Sequence, residues 1–203
     1  NLKSLNDIAG ELYDAAYLFN VTGKYDDAIR TANAAINLRK NYAEAYCERG
    51  YAEACLSKTT AAIKTLDTAL KLNPKLTLAQ VYKGKAYAIA RQYALAELAF
   101  AKAAGDAGFA ATYAERAIMR NDQGRYDDAI KDASKAIILN YKDIYVPYAT
   151  QGYAYFQKKD FVNAYNKFAV AVYYNRIYPF AVEWLEKSYQ KLTPEQRKKV
   201  GSQ

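Results

Sequence analysis

At 203 residues, with 52% apolar and 25% charged side chains, the chain is long enough to bury a substantial core and too hydrophobic for a disordered segment. The formal charge of +8 raises nucleic acid or an acidic membrane as partners, but cations and anions balance at nine each over 1–74 and five each over 110–141; the surplus, +3 in 75–109, +3 in 142–176 and +2 in 177–203, is too diffuse for a binding stripe. With no histidine, no glycine-rich phosphate loop and no apolar run near the ~20 residues that span a bilayer, the sequence offers no catalytic residue, metal site, cofactor motif or transmembrane segment.

The first helical pattern is ELYDAAYLFN (11–20), with apolar residues at three-to-four spacing. It ends before Gly23, where glycine tolerates a left-handed cap. The octet GKYDDAIR (23–30) then opens the alanine-rich YDDAIRTANAAI, with Asp26 and Asp27 in a first turn whose dipole favours negative charge. AYCERGYAEAC (45–55) follows. Its Cys47 and Cys55 lie about 12 Å apart along a helix, beyond the roughly 7 Å limit for a disulfide, so both are expected as packing thiols. Two thiols fit a reducing compartment without requiring one. VYKGKAYAIA (81–90) and TYAERAIMRN (112–121) repeat the first pattern, and GRYDDAIK (124–131) repeats the octet 101 residues after its first appearance. PYATQGYAYF (147–156) and FVNAYNKFAVAV (161–172) form another pair. AVEWLEKSYQKL (181–192) is expected as a capping helix with a polar face of Glu183, Glu186, Lys187 and Gln190, stopped by Thr193–Pro194. The chain begins at Asn1 rather than Met, and an upstream segment and the compartment are left open.

One period underlies these pairs. Ala28, Ala62, Ala96, Ala129 and Ala164 are spaced by 34, 34, 33 and 35 residues. Seven residues after each stands Ala35, Ala69, Ala103, Ala136 or Ala171, and twelve before stands Ala16, Gly50, Gly84, Ala117 or Gly152. Small residues in these columns let two antiparallel helices approach closely. Aromatic residues recur as well, at Tyr46, Tyr113 and Tyr148 in one column, Phe19, Tyr87 and Tyr155 in a second, and Phe100 and Phe168 in a third. Leu12 and Gln80 fill the first column elsewhere; charged Glu53 and Arg120 interrupt the second; Ala32, Leu66 and Ala133 complete the third.

Over residues 9–176 this pattern resembles the tetratricopeptide repeat family, whose helix pairs carry aromatics at positions 4, 11 and 24, a small residue at 8 and alanines at 20 and 27. Only the second repeat has that family's terminal proline, Pro74. The resemblance implies an all-α, right-handed α-solenoid of five helix-turn-helix repeats (9–42, 43–76, 77–109, 110–144 and 145–180) and a capping helix (181–192), forming a single domain over 1–203. It also implies a protein- or peptide-binding scaffold whose inner face is lined by the first helix of each pair. The groove positions are then Tyr13, Cys47, Val81, Ala114 and Ala149 at position 5, and Tyr17, Tyr51, Lys85, Ile118 and Tyr153 at position 9. Asn20, Ala54, Ala88, Asn121 and Phe156 stand at position 12, Asp14, Glu48, Tyr82, Glu115 and Thr150 at position 6, and Glu44 at position 2. The carboxylate clamp by which one branch of the family grips acidic tails needs Lys and Asn at positions where no three consecutive repeats here supply them. Asp14, Glu48 and Glu115 would repel such a tail. The expected ligand is an apolar, aromatic or basic peptide or helix, with Tyr13, Tyr17, Glu48, Tyr51, Lys85 and Tyr153 as the contact set. Packing between neighbouring helices is the structural alternative for each tyrosine. Two further functions are weighed beside this one. Self-association is suggested by Tyr173, Tyr174, Ile177, Tyr178 and Phe180, which alternatively seat the cap. RNA binding has the least support, because the inferred inner face carries more acids than cations and the Arg197–Lys199 run reads as a solvated tail.

Overall fold

The computed structural model describes residues 4–105 and 108–200. Among these residues every regular element is a helix. In chain order they are α1 (Leu5–Val21), α2 (Tyr25–Leu38), α3 (Ala43–Cys55), α4 (Thr59–Leu72), α5 (Thr77–Ile89), α6 (Tyr93–Ala103), α7 (Ala110–Asp122), α8 (Tyr126–Ile138), α9 (Tyr145–Gln157), α10 (Phe161–Tyr174), α11 (Pro179–Lys191) and α12 (Pro194–Val200). They form five hairpins, then the cap helix α11 and the short α12. This is the array of helix pairs that the repeat register and the family resemblance imply. The contacts group the chain into two compact units, up to 107 and from 108, and each is described by itself.

The first helix begins four residues before the expected repeat start because Ser4 and Asp7 form a reciprocal cap. Ser4 accepts from the Asp7 N–H at 3.2 Å, and Asp7 Oδ2 accepts from the Ser4 N–H at 3.0 Å. Each hairpin then turns in the same way. In the first turn Lys24 N–H donates to Phe19 O at 2.8 Å and Gly23 N–H to Asn20 O at 3.1 Å; in the fifth Asp160 and Lys159 donate to Tyr155 and Phe156 at 3.0 and 2.9 Å. That geometry needs one left-handed residue per turn. Gly23 and Gly124 supply it at φ 74° and 73°, as their glycine identity predicts, but Ser57, Arg91 and Lys159 adopt it at 59°, 57° and 63°. The aspartates behind each glycine lie in the first turn of α2 and α8, as expected. There they are ion-paired: Asp128 with Arg125 at 2.8 Å, Asp27 with Arg30, Asp26 with Lys58 at 3.6 Å, and Asp127 with Lys158 of the next turn.

Packing explains the small columns. All fifteen small positions are buried, and Ala28, Ala62, Ala96, Ala129 and Ala164 are each 0% exposed. A Cβ added to Gly50 would lie 2.6 Å from Leu66 Cγ, one on Gly84 2.7 Å from Phe100 Cε1, and one on Gly152 3.0 Å from the Phe168 ring. In the first and fourth hairpins alanine replaces glycine, and the residue at the facing position shrinks to alanine as well: Ala16 with Ala32, and Ala117 with Ala133, all 0% exposed. Where the first helix presents no side chain, the second fills the space with a large one. The charged residues that interrupt the aromatic column have partners. Glu53 pairs with Arg49 at 3.6 Å, while Arg120 and Arg116 both engage the buried Asp132, at 2.8 and 2.7 Å.

The first unit holds α1–α6 and the second α7–α12. In the first, α1 packs on α3 and α3 on α5; in the second, α7 packs on α9 and α9 on α11. Within the units α2, α4, α8 and α10 instead each bridge their own partner and the first helix of the next pair. The first helices are thus the tightly spaced layer of each unit, which presents positions 2, 5, 6, 9 and 12 on one face. The cap α11 buries Ala181 and Ser188 and exposes Glu183, Glu186, Lys187 and Gln190, the polar face expected of it.

Relieving the strained turns should stabilise the protein. Lys159→Gly and Arg91→Gly are each expected to raise the unfolding free energy by about 0.5–1 kcal/mol, because a left-handed L-residue costs about 1–2 kcal/mol and the added backbone entropy of glycine returns part of that. Gly124→Ala is expected to lower it by about 1 kcal/mol. Denaturant midpoints of the three variants check both directions.

Candidate functional site

The face formed by α1, α3 and α5 gathers most of the expected contact set. Tyr13 and Tyr17 are one turn apart on α1. Tyr17 is 37% exposed, whereas Tyr13 is half-buried against Tyr42, with ring centroids 5.5 Å apart. Tyr51 on α3 is embedded in a small aromatic array: Tyr82 lies 4.5 Å away, Tyr25 lies edge-on at 6.3 Å, and Lys85 Nζ stands 5.1 Å from its ring centroid. The structure thus brings Tyr51 and Lys85 together across neighbouring repeats, and adds Tyr82. The sequence placed Tyr82 at position 6, but its ring contact with Tyr51 depends on the stagger of two hairpins.

Glu48 is not the exposed acid that the sequence suggested. It is 1% exposed, and its carboxylate accepts a hydrogen bond from Asn20 Nδ2 at 2.8 Å while Asn20 also donates to Glu48 O at 3.0 Å. Burial pushes its carboxyl above the usual range, opposed by the Asn20 hydrogen bond. The Tyr13 hydroxyl is pushed up to about 12, first by its own burial and then by the Glu48 charge. The accessible acids at this face are Asp14, exposed, and Glu44, half-buried. Cys47 is 1% exposed and its thiol is pushed well up by burial, which makes it a packing residue rather than a nucleophile; neither it nor Cys55 is disulfide-bonded.

In the second unit Tyr153 lies on α9 and is tied to the cap. Its ring meets Trp184 edge-on at 4.9 Å and Phe180 at 6.0 Å. With Ile118, Asn121, Asp122, Val146, Ala149, Thr150 and Tyr178 these rings line a concavity of about 380 Å³. The sequence marked Ile118, Asn121, Ala149, Thr150 and Tyr153 as inner-face positions. It gave no sign that Phe180 and Trp184 would close the same space, because that depends on how the cap seats. Asn121 repeats the role of Asn20 and donates from Nδ2 to the carbonyl of the position-6 residue in the next repeat, here Thr150, at 2.9 Å. The suggested self-association cluster divides. Tyr178 packs on Tyr145 at 5.0 Å and Phe180 on Trp184 at 5.9 Å, whereas Tyr173 and Ile177 are 76% and 86% exposed.

Among the described residues no cluster of three or more Cys, Asp and Glu side chains could hold a metal, and no helix is long and apolar enough to cross a membrane. The site is a surface of aromatic rings with acids beside them, suited to binding through apolar contact and hydrogen bonds.

Solved structures with this arrangement are tetratricopeptide-repeat proteins. One from Parabacteroides merdae superposes with a TM-score of 0.76 at 19% identity, over 87% of this chain and 69% of that one. TTC0263, a thermophilic tetratricopeptide-repeat protein of Thermus thermophilus, gives 0.78 at 14% identity, over 90% and 98%. YrrB, a tetratricopeptide-repeat protein with an unusual peptide-binding site, gives 0.54 at 15% identity, over 85% and 89%. No family model and no curated protein matches the sequence. The chain has the tetratricopeptide-repeat fold.

Because Glu48 is raised by burial, its ionised form weakens the fold above its own pKa, and that weakening vanishes as pH falls and the carboxyl protonates. Glu48→Gln keeps an oxygen for Asn20 and removes the buried charge. Its thermal midpoint is expected to exceed that of the wild type by a few degrees at pH 7, with the difference closing toward pH 4. Melting curves across that range check the sign.

Proposed function

We propose that the chain is a non-catalytic scaffold that holds a peptide or helix of a partner protein against its first-helix face. The observation that carries this reading is the row on α1, α3 and α5: Tyr17 presented to solvent, and Tyr51 held by Tyr82 and Lys85 into a broad ring surface. A tyrosine fixed by its neighbours offers a rigid apolar contact with a polar tip and loses little entropy on binding. Tyr13 lies one turn from Tyr17 on the same helix, and Tyr153 offers the equivalent ring in the second unit. Glu48, buried and bonded to Asn20, lies outside the accessible contact set. Asp14 and Glu44 give the face an acidic border, which favours Lys or Arg in the ligand and disfavours an acidic tail. The peptide-binding site of YrrB, which has the same fold, supports the class of ligand.

A peptide-display selection on the folded protein tests this. Enriched sequences are expected to combine aromatic or aliphatic residues with Lys or Arg, and a Tyr17→Ala/Tyr51→Ala double variant is expected to lose at least tenfold in affinity for them. Enrichment of acidic tails, or full affinity in the folded double variant, would remove the groove from the account.

Self-association is a second reading, favoured by one observation: Tyr173 and Ile177 stand almost fully in solvent at the end of α10, with Tyr174 beside them at 53%. If this patch joins two copies, sedimentation will show a concentration-dependent dimer that Tyr173→Ser/Ile177→Ser abolishes. A monomer at high concentration excludes it.

A further inference from the structure

The concavity of the second unit is built differently from the tyrosine row. At about 380 Å³ it lies at the small end of the ~300–1,000 Å³ that ligand pockets span, enough for one long side chain and too small for a helix. Three of its rings are mutually locked: Trp184 meets Tyr153 at 4.9 Å and Phe180 at 5.9 Å, and Tyr153 meets Phe180 at 6.0 Å. Tyr178 adds a fourth, 6.1 Å from Phe180. Asp122 brings a carboxylate at the C-terminal end of α7, where the helix dipole is itself negative, and Asn121 Oδ1 has no hydrogen-bond partner within the protein although the residue is only 8% exposed. The Thr150 hydroxyl is committed as a donor to Val146 O at 2.8 Å. The ring faces are electron-rich. One of them already attracts a cation: Lys187 Nζ lies 4.4 Å from the Trp184 ring centroid, neutralised by Glu183 at 2.5 Å, and neither residue lines the concavity.

Electron-rich rings and a carboxylate around a space for one side chain call for a planar cationic donor. We propose that this aromatic box is a specificity pocket for an arginine side chain of the bound peptide, its guanidinium lying against Trp184 and Tyr153 and donating toward Asp122. Arginine fits better than lysine because its flat, weakly hydrated head stacks on rings while its fork addresses a carboxylate. This deepens the scaffold reading and rests on it, by giving the ligand one required residue. The box belongs wholly to the second unit, whereas the tyrosine row belongs to the first, so each can fail alone.

Trp184 is the chain's single tryptophan, so its fluorescence reports this box without labelling. The full chain is titrated with the blocked tripeptide acetyl-Gly-Arg-Gly-amide and with its citrulline counterpart, which keeps the shape and loses the charge. A saturable emission change with a dissociation constant of about 1–10 mM is expected for the arginine peptide, the scale of a single anchored side chain. Asp122→Asn and Asp122→Ala, both at an exposed position and each checked by circular dichroism, are expected to weaken it at least fivefold. Citrulline is expected to give no saturation. An equal response to citrulline, undiminished binding in both Asp122 variants, or no saturable change with arginine overturns the proposal. If the arginine response fails while displayed peptides still bind through Tyr17 and Tyr51, the anchor falls and the scaffold stands. If arginine binds here while display enriches nothing, the tyrosine groove falls instead.

Discussion

The close crossing of the two helices in each hairpin is the constraint on which everything else rests. Five pairs meet at one position of the first helix and one of the second, and the two side chains there fit each other: nothing against leucine or phenylalanine, methyl against methyl. The burial of Leu66, Phe100 and Phe168 supplies apolar area, while the bare backbone opposite lets the helices pack without a void. Glycine within a helix costs about 1 kcal/mol relative to alanine. At three of five crossings the chain carries that cost where a ring or an isobutyl group would otherwise have no room.

From that crossing the first-helix face of each unit follows. Within each unit tight hairpins stack with their first helices adjacent, and the residues on the shared face are brought into contact across repeats. Tyr51 and Tyr153 hold neighbouring helices together and present the rest of their surface outward; Tyr17, on the first helix of the stack, gives more of itself to solvent. Beneath them, Asn20 and Asn121 join successive first helices by donating to a main-chain carbonyl of the next repeat. Under the scaffold reading we propose, such rigidity would favour binding, because the rotamer entropy of these side chains is already spent before a ligand arrives.

The sequence displayed the fold almost completely, and the reason is physical: a 33–35 residue period in small side chains can arise only if every period must solve the same packing problem. It displayed the turns less well. Gly23 and Gly124 announce a left-handed residue, but Ser57, Arg91 and Lys159 adopt the same backbone with no sign in their identity, and only the register marks them. For the candidate site, helical spacing showed which first-helix residues share a face, and their environments were not legible. Glu48 occupies a position that faces ligand in the family, yet the Asn20 amide and the packing of α1 on α3 draw it under the surface, a result of side-chain reach that spacing cannot express. The aromatic box was invisible for a related reason. Trp184 continues the position-4 column into the cap and Phe180 stands among the residues expected to seat it, but spacing does not express that both rings meet Tyr153.

The compensation between facing residues is the central claim, and a double-mutant cycle at the third hairpin measures it directly. Gly84→Ala introduces a Cβ 2.7 Å from the Phe100 ring and is expected to cost about 1–2 kcal/mol, the ~1–3 of overpacking less the helix propensity regained. Phe100→Ala should cost about 3–5 kcal/mol by leaving a cavity. The double variant recreates the alanine pair of the first and fourth hairpins, and it should be more stable than the sum of the single changes by about 1–2 kcal/mol. Additivity within about 0.5 kcal/mol would show that the two residues do not fit each other in the sense argued, and the explanation of the repeat would fail with it.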